Sequence, residues 1–467
     1  MKNKAFLSGT AMALALLVCA PAQAATCTTL GAVITCGEVN SDPVASPDNG
    51  VSVVIEGGAS VLSADRDATA VALTGNNVTV QNAGTITQSD TRNNGYAITG
   101  TGAGLTVDNV GTIESGDRAI EMLSGSGLRV LNHTGAAITA RRQTIRSLEG
   151  VTGAYVENDG TISSADGRAL QLRGNGATVI NRGDLIGGEE VVEARGDFTL
   201  ENYGNIYLND PLIEDEDAVQ FASGQVDNYG SITGSDDGID MDEGVVVNHV
   251  GGIIRSTALD TNPNSGIDID EVFDDGITER ANGLVKIVNM GLIEGPTAIG
   301  TDDAATNEIQ VFNTGTLLGR GGTAIRLAGG QGNSELHLAG ASQVIGDVLF
   351  GGGDDLVSIG TITSGLLANG IFSGGLGVNS VLFDGFDLMD ITSFMVDGNE
   401  VALSFLSSGD ILTGTFFDFD TWTVGNINYS TAALFAAVSP SQVPLPAGLP
   451  LLLACLGALG LARRRRC

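Results

Sequence analysis

The sequence predicts an all-β chain folded as a parallel β-solenoid, a right-handed β-helix of about eleven coils. Two phrases recur with a period in the twenties. The first reads V-x-N-x-G-x-I and occurs at residues 80–86, 107–113 and 226–232. The second is Ala-Ile or Ala-Val with another apolar residue two positions later, as at residues 119–122 and 218–221. No part of this region keeps a helical period, so each repeat is expected to hold at least two short strands separated by Gly, Asn and Asp turns.

One asparagine anchors each copy of the first phrase. Successive anchors lie 20 to 27 residues apart, except for the 41 residues between Asn248 and Asn289. That long interval indicates an insertion at a corner, at residues 271–283. Asparagine tolerates the left-handed conformation of a turn, and stacked amides hydrogen-bond along a fibre axis, so we expect the anchors to stack at one corner of the rod. The anchors are Asn82, Asn109, Asn132, Asn158, Asn181, Asn202, Asn228, Asn248, Asn289 and Asn313.

Composition and charge agree with an acidic solenoid. The chain of 467 residues contains 67 Gly and one Trp, which suits narrow coils with tight corners. The formal net charge is −33. Lys2, Lys4 and residues 463–466 lie in terminal segments without acids, so the middle of the chain is more acidic still. Such a surface repels nucleic acid and favours divalent cations, and no nucleic-acid partner is expected.

The chain begins with the pattern of a secretory signal peptide, residues 1–24. Lys2 and Lys4 precede an apolar stretch at residues 11–20, and Ala22-Gln-Ala24 provides a small-x-small cleavage site. We expect signal peptidase to cleave after Ala24, which makes the protein an exported one. A lipoprotein site at Cys19 is the alternative, although Val18 stands where such sites want a small residue.

Residues 25–50 are predicted to form an N-terminal cap before the first coil. Cys27 and Cys36 flank eight residues, and an oxidising compartment favours their pairing. A loop this short makes the bridge worth about 2 to 3 kcal/mol at most. The disulfide is expected to hold the first, exposed edge of the solenoid, where unpaired strands invite aggregation. A metal site is disfavoured because no histidine lies near the two cysteines.

The β-helix is predicted over residues 51–350, and its acidic residues crowd into one part of it. Asp240 and Asp268 are expected on neighbouring coils, pointing outward, and Asp242, Asp270 and Asp302 in a second column. Like charges about 5 Å apart destabilise a sheet unless a cation bridges them. Calcium, a hard cation with oxygen ligands, is the expected ion. The alternative is a solvated acidic face.

Paired carboxylates also raise the possibility of an enzyme, because β-helices include polysaccharide lyases and hydrolases. Hydrolysis needs two carboxyl groups in a cleft, one of them with a raised pKa. Here the acids are numerous and alike, and His133, His249 and His337 lie beside strand anchors rather than among the acids. Motifs for a serine or cysteine nucleophile are missing as well. A polysaccharide-active enzyme is therefore the second choice.

Residues 351–438 are predicted to form a C-terminal β region with glycine-rich turns. Residues 346–357 and 374–382 resemble the calcium-binding nonapeptide of RTX proteins, G-G-x-G-x-D-x-U-x. The first copy has Asp355 at the acidic position and the second has Asn379 there, and the resemblance implies calcium at both. This stretch, with residues 383–388, is also similar to the distal end of autotransporter passenger β-helices. Too few residues follow for that family's membrane β-barrel, so we expect another route to the surface.

Residues 439–467 form a tail with three parts. A Pro-rich motif is followed by about 16 apolar residues, slightly fewer than the roughly 20 of a typical membrane span. Four arginines close the chain and place that end in the cytoplasm. The motif is Val443, Pro444, Leu445, Pro446 and Ala447, and the basic stop is Arg463, Arg464, Arg465 and Arg466.

This tail resembles the VPLPA-CTERM sorting domain, a relative of the PEP-CTERM signals that exosortases read in Gram-negative bacteria. The resemblance covers about 25 residues, with Cys455 and Cys467 as departures from the usual pattern. It implies export, recognition by a membrane-embedded exosortase-type enzyme, and delivery to the cell surface or extracellular matrix. The C-terminal helix would hold the protein in the inner membrane, transiently or stably.

Together these features favour a non-catalytic, exported surface protein. Its β-helical rod is expected to serve adhesion or the structure of an extracellular matrix or biofilm, with extracellular polysaccharide as the expected partner. The alternative is a polysaccharide-active β-helix enzyme, a lyase or hydrolase of the cell-surface matrix.

Overall fold

A computed structural model of the protein describes residues 27–91, 94–210, 215–259, 264–269, 283–301, 305–328, 330–364 and 367–438. The predicted signal peptide and sorting tail lie outside these ranges. So do Asp270, Asp302 and most of the predicted insertion at residues 271–283.

The described chain is an all-β parallel β-solenoid of about 13 turns, which confirms the predicted fold class. The expected number of coils, about eleven, is too low. The stack begins before residue 51, because Val33–Cys36 pairs with Ser52–Ile55. It also continues past residue 350, because Leu356–Ile362 pairs with Ser380–Phe383, which in turn pairs with Thr421–Val424.

Each complete turn contains three strands, which stack on their equivalents to form three faces. In one turn, Thr79–Asn82 belongs to face A, Thr85–Gln88 to face B and Tyr96–Gly100 to face C. The sequence predicted at least two strands per repeat. The phrase V-x-N-x-G-x-I proves to be two strands, one from face A and one from face B, joined by a sharp corner at Asn-x-Gly.

Each face is a ladder of strands that run in chain order. Face A comprises Val33–Cys36, Ser52–Ile55, Thr79–Asn82, Thr106–Asn109, Arg129–Asn132, Tyr155–Asn158, Ala177–Asn181, the ends of Val192–Asn202, Val219–Asn228 and Ile239–Asn248, then Leu284–Asn289, Glu308–Asn313, Ser334–Gly340, Leu356–Ile362, Ser380–Phe383 and Thr421–Val424. Face B comprises Val39–Asn40, Ser60–Ser63, Thr85–Gln88, Thr112–Ser115, Ala137–Ala140, Thr161–Ser164, Asp184–Gly187, Asn205–Leu208, Ser231–Gly234, Ile253–Ser256 and the starts of Leu292–Thr301, Thr316–Arg326 and Gln343–Leu349. Face C comprises Val44–Ser46, Thr69–Leu73, Tyr96–Gly100, Arg118–Met122, Ile145–Ser147, Leu170–Leu172, Ser265–Ile269, Ile371–Ser373, Asp410–Phe417 and the remaining parts of the six long strands.

The core consists of apolar columns that run along the rod. Val80 lies directly under Val107 on face A, and Ile98 directly under Ile120 on face C. All four side chains are fully buried. Burial of one such side chain stabilises the fold by roughly 1.5 to 3 kcal/mol, so repetition of the same residue at each turn builds one continuous core.

The corner between face A and face B carries the predicted column of asparagines. From Asn82 to Asn313, each Nδ2 donates a hydrogen bond to the Oδ1 of the next anchor, at 2.8 to 2.9 Å. Asn313 ends the column by donating to Ser342 Oγ at 2.7 Å. All ten asparagines are buried. The prediction that these residues stack at one corner is confirmed.

The remaining polar atoms of each anchor also find partners. Asn82 Nδ2 donates a second hydrogen bond to the carbonyl oxygen of Thr112, 3.0 Å away. Asn82 Oδ1 accepts from the backbone N–H of Gly84 at 3.2 Å, within its own corner. A buried amide without such partners costs about 1 to 3 kcal/mol, which the column avoids at every turn.

The N-terminal end of the rod is tied by the predicted cysteine pair. Cys27 and Cys36 form a disulfide, with their Cα atoms 4.3 Å apart. Between the two cysteines, Thr28–Leu30 pairs antiparallel with Val33–Cys36. The described part of the predicted cap, residues 27–50, thus contributes a hairpin and the first turn of the stack.

The C-terminal end closes with aromatic side chains and a change of strand direction. Ile391–Asp397 and Glu400–Ser407 form an antiparallel pair that continues into Asp410–Phe417. Trp422 is buried there and donates from Nε1 to Thr431 Oγ1 at 3.0 Å, which anchors the helix Thr431–Val438. Within the described ranges, no helix is both long and apolar enough to cross a membrane.

Removal of one ladder asparagine tests its contribution to stability. In Asn158→Ala, Asn132 loses its acceptor and Asn181 its donor, so we expect a loss of roughly 2 to 4 kcal/mol in the free energy of unfolding. Chemical denaturation measures this change. The control is Asn205→Ala, an exposed asparagine on face B, which should cost about 0.5 kcal/mol or less. Equal effects of the two substitutions would show that the column is not a main source of stability.

Candidate functional site

A groove of about 670 Å³ opens on face B. Three successive strands supply its floor, because their outward-facing residues stack in register. Asp184, Asn205 and Ser231 form one such column. The lining residues are Asp184, Asn205, Ile206, Tyr207, Leu208, Asn209, Ser231, Thr233, Gly234, Ser235 and Thr257.

Hydrogen-bonding groups and one aromatic ring dominate this lining. Asn205 Nδ2 donates to Asp184 Oδ1 at 2.9 Å. Tyr207 stands between Ile186 and Thr233 in the next outward column. Burial, and then the charge of Asp184, raises the pKa of Tyr207 above its usual value, so its hydroxyl is protonated at neutral pH. An aromatic ring beside hydroxyl and amide groups is suited to an extended polar ligand.

A column of aromatic rings lies on the corner beside the groove. Tyr203 stacks on Tyr229 with ring centroids 4.7 Å apart, and Tyr229 stacks on His249 at 3.8 Å. His249 Nε2 also lies 3.0 Å from Asp227 Oδ1. Because the rings cover each other's faces, they present mainly edges to solvent. The column therefore offers little flat aromatic surface to a ligand.

Face C carries a network of charges that the sequence analysis did not predict. Glu121, Arg146, Gln171 and Glu193 occupy the same outward position on four successive turns. Arg146 Nη1 lies 2.8 Å from Glu121 Oε1, and Gln171 Nε2 donates to Glu193 Oε2 at 2.5 Å. A sequence signal exists at Glu121, which follows Ile120 of the second phrase, but Arg146 and Glu193 lie in turns without that phrase. The shared position is visible only after the turns are aligned.

Ion pairs with arginines favour the ionised form of Glu193 in this network. Arg168 Nε lies 2.7 Å from Glu193 Oε2, and Arg195 Nε lies 2.8 Å from Glu193 Oε1. Burial opposes ionisation of Glu193, but the hydrogen bond from Gln171 and the charge of Arg168 outweigh it, so the pKa of Glu193 lies below its usual value. A carboxylate held charged in this way is poorly suited to proton transfer near neutral pH.

Further along the same outward column the residues become acidic. Asp240 and Asp268 are direct neighbours on adjacent turns, as the sequence predicts. Asp240 is buried rather than open to solvent, and it accepts a hydrogen bond from Gln220 Nε2 at 3.2 Å. Asp242 lies half-buried on Ile239–Asn248, but its predicted column partners Asp270 and Asp302 are outside the described residues.

The closest group of acids lies at the corner between face B and face C. One carboxylate oxygen each from Asp217, Asp236 and Asp237 lies within 4.8 Å of the others. Asp237 N donates to Asp217 Oδ1 at 3.0 Å, and Ser265 N donates to Asp237 Oδ1 at 2.6 Å. The sequence analysis predicted calcium on the columns of Asp240 and Asp242 and at the glycine-rich turns, and it did not predict that these three acids come together.

The charge of this corner is electrostatically unfavourable. Burial, followed by the charges of Asp268 and Asp217, raises the pKa of Asp237 well above its usual value. Burial also raises the pKa of Asp217. Beside them, burial and the charge of Glu190 raise the pKa of Glu216 to about 7. Either protonation of these carboxyl groups or a bound cation would therefore relieve the repulsion at this corner.

The glycine-rich turns place Asp355 and Asn379 on adjacent coils. Asp355 N donates to Asn379 Oδ1 at 3.0 Å, and Ser334 N donates to Asp355 Oδ1 at 2.8 Å. A Cβ on Gly377 would collide with the carbonyl oxygen of Gly353, so the two turns pack directly on each other. Asp355 is 1% exposed, and its Oδ2 has no hydrogen-bond partner among the described residues. Burial raises the pKa of Asp355 to about 7.

Comparison of the chain with protein-family models, with curated proteins and with solved structures yields no match.

The raised pKa of Asp355 predicts a pH-dependent stability. The folded state holds this proton up to about pH 7, whereas the unfolded chain releases it near the ordinary value of 3.8, so stability falls as the pH rises between these values. Asp355→Asn keeps an acceptor for Ser334 N and removes the charge. We expect the variant to melt several degrees above the native protein at pH 8, and at the same temperature at pH 4.

Thermal melts across this pH range make the measurement. Asp397→Asn, an exposed acid on the C-terminal hairpin, is the control and should follow the native curve. A constant offset between Asp355→Asn and the native protein at every pH would contradict the raised pKa.

Proposed function

We propose that this protein is a non-catalytic, exported surface protein whose rod serves adhesion or the structure of an extracellular matrix. The observation that carries the proposal is the groove on face B, a polar, open site built on a rigid stack of strands. Stacked coils present such a site in fixed geometry without a separate domain. Its lining comes from successive turns, which suits an extended ligand better than a compact one.

The residues of the groove support binding rather than hydrolysis. Asp184 is the sole carboxylate among the described lining residues, and it already accepts a hydrogen bond from Asn205. Hydrolysis of a glycosidic bond needs two carboxyl groups on opposite sides of the bond. Glu121 and Glu193 on face C are paired with arginines, so they do not supply the second group.

Extracellular polysaccharide is the partner that this lining fits. Amide and hydroxyl groups donate to and accept from sugar hydroxyls, and Tyr207 offers apolar surface between them. The formal net charge of −33 repels anionic chains at low salt, so we propose an uncharged or basic polysaccharide.

Export and sorting follow from the two ends of the sequence. Residues 1–24 match a signal peptide, and Val443–Ala447 with the basic stop resembles a VPLPA-type sorting signal. We propose that signal peptidase and an exosortase-type enzyme process the chain, with the C-terminal helix held in the inner membrane before delivery to the surface. Immunolabelling of intact cells tests this, and protein confined to the cytoplasm would refute it.

Substitution of Tyr207 tests the groove as a polysaccharide site. Tyr207→Ala removes the aromatic surface, and we expect affinity for the bound polysaccharide to fall roughly tenfold. Binding is measured on an array of uncharged, basic and acidic polysaccharides of bacterial and plant origin. Tyr155→Ala, on face A, is the matched control and should bind as the native protein does.

The same array identifies the alternative outcomes. Equal binding by Tyr207→Ala and the native protein would exclude the groove. Release of shortened chains from any polysaccharide would show an enzyme instead of a binding protein.

A further inference from the structure

We propose that Asp217, Asp236, Asp237 and Ser265 form a binding site for a divalent cation of the calcium class, at the corner between face B and face C. Asp236 and Asp237 belong to one turn, Asp217 to the turn before, and Ser265 to the turn after. The site therefore joins three successive turns of the rod. It does not depend on the proposed polysaccharide partner.

The carboxylates lie close enough together to share one calcium ion. Their three oxygens lie within 4.8 Å of one another. Calcium takes about six to eight oxygen ligands at about 2.3 to 2.6 Å in flexible geometry, which suits carboxylates supplied by separate turns. Magnesium demands near-ideal octahedral geometry at about 2.0 to 2.1 Å, which such an irregular set of ligands supplies less readily.

Backbone groups orient the acids without neutralising them. Asp217 Oδ1 accepts from Asp237 N, and Asp237 Oδ1 accepts from Ser265 N, each from the turn above. Asp217 is 9% exposed and Asp237 8%. Among the described residues, neither carboxylate forms an ion pair with arginine, lysine or histidine. In face C below, by contrast, Arg168 pairs with Glu189, Glu190 and Glu193.

Ser265 gives a second, independent indication of a ligand. It is fully buried, and its Oγ has no hydrogen-bond partner among the described residues. Ser265 N bonds Asp237 Oδ1, so Ser265 lies next to that carboxylate, on the turn after it. A Cβ on Gly300 would collide with Ser265 Oγ and lie 2.8 Å from Asp268 Oδ1, so both oxygens face one small space.

An unsatisfied buried hydroxyl beside clustered carboxylates is the arrangement that a hard cation completes. The ion would accept the lone pairs of Ser265 Oγ and the carboxylates, and half-buried Asp236 leaves room for water ligands. Asp268, whose charge raises the pKa of Asp237, adds to the negative potential that attracts the ion. The result is an ionic crosslink between turns, at the start of the long interval from Asn248 to Asn289.

Calcium titration of the native protein and a double variant tests the site. The protein is treated with EDTA, and calcium binding is measured by calorimetry at pH 8. We expect one ion to bind the native protein, Ser265→Ala to bind it about tenfold more weakly, and Asp217→Asn with Asp237→Asn to lose this binding. Asp397→Asn with Asp410→Asn makes the same change of charge on exposed residues and should bind as the native protein does.

Thermal melts provide a second measurement, which distinguishes loss of the cation site from loss of folding. In EDTA the double variant is expected to melt above the native protein, because two charges that repel each other are gone. Millimolar calcium should raise the native melting temperature by several degrees more than sodium chloride of equal ionic strength, and leave the double variant unchanged. Absence of calcium binding by the native protein, or native-like binding by the double variant, overturns the proposal. An equal response to magnesium overturns the choice of calcium.

Discussion

The hydrogen bond between stacked asparagines is the interaction on which the rest of this structure depends. It fixes which residue of one turn lies above which residue of the next, because a shift by one residue would bury the amides without partners. The asparagine column tolerates variation in the length of chain between one anchor and the next. Between Asn248 and Asn289 the chain takes 41 residues instead of 20 to 27, yet their amides remain 2.9 Å apart. The ladder therefore continues across the long interval.

Once the register is fixed, every surface residue lies above its equivalent in the turn below. Outward positions therefore become columns, and the chemistry of a column changes along the rod. On face C, paired Glu and Arg residues near Glu121 and Arg146 give way to Asp240 and Asp268. The same geometry that stacks tyrosines beside the groove also forces acids together at Asp217 and Asp237. The cation that we propose at this corner would offset the repulsion without loss of the repeat.

Sequence reasoning found the features that repeat with the ladder. The asparagine column, the apolar columns and the adjacency of Asp240 and Asp268 all follow from alignment of the two phrases. The third strand of each turn and the full length of the stack did not follow, because the corner between face B and face C varies in length. The group of Asp217, Asp236 and Asp237 depends on that corner, so its closeness could be read only from coordinates. The glycine turns at Gly353 and Gly377 were recognised, but no pattern around Asp355 indicated that it would be buried beside them.

The most direct test of the account is the exchange of side-chain amide protons, measured by NMR on protein labelled at asparagine. If the column is continuous, the Nδ2 protons of Asn132, Asn158 and Asn181 exchange only when turns of the rod open, and are expected to exchange orders of magnitude more slowly than those of exposed Asn205. Exchange of the ladder amides as fast as that of Asn205 would contradict a buried, continuous column, and with it the fixed register that positions the groove and the acidic corner.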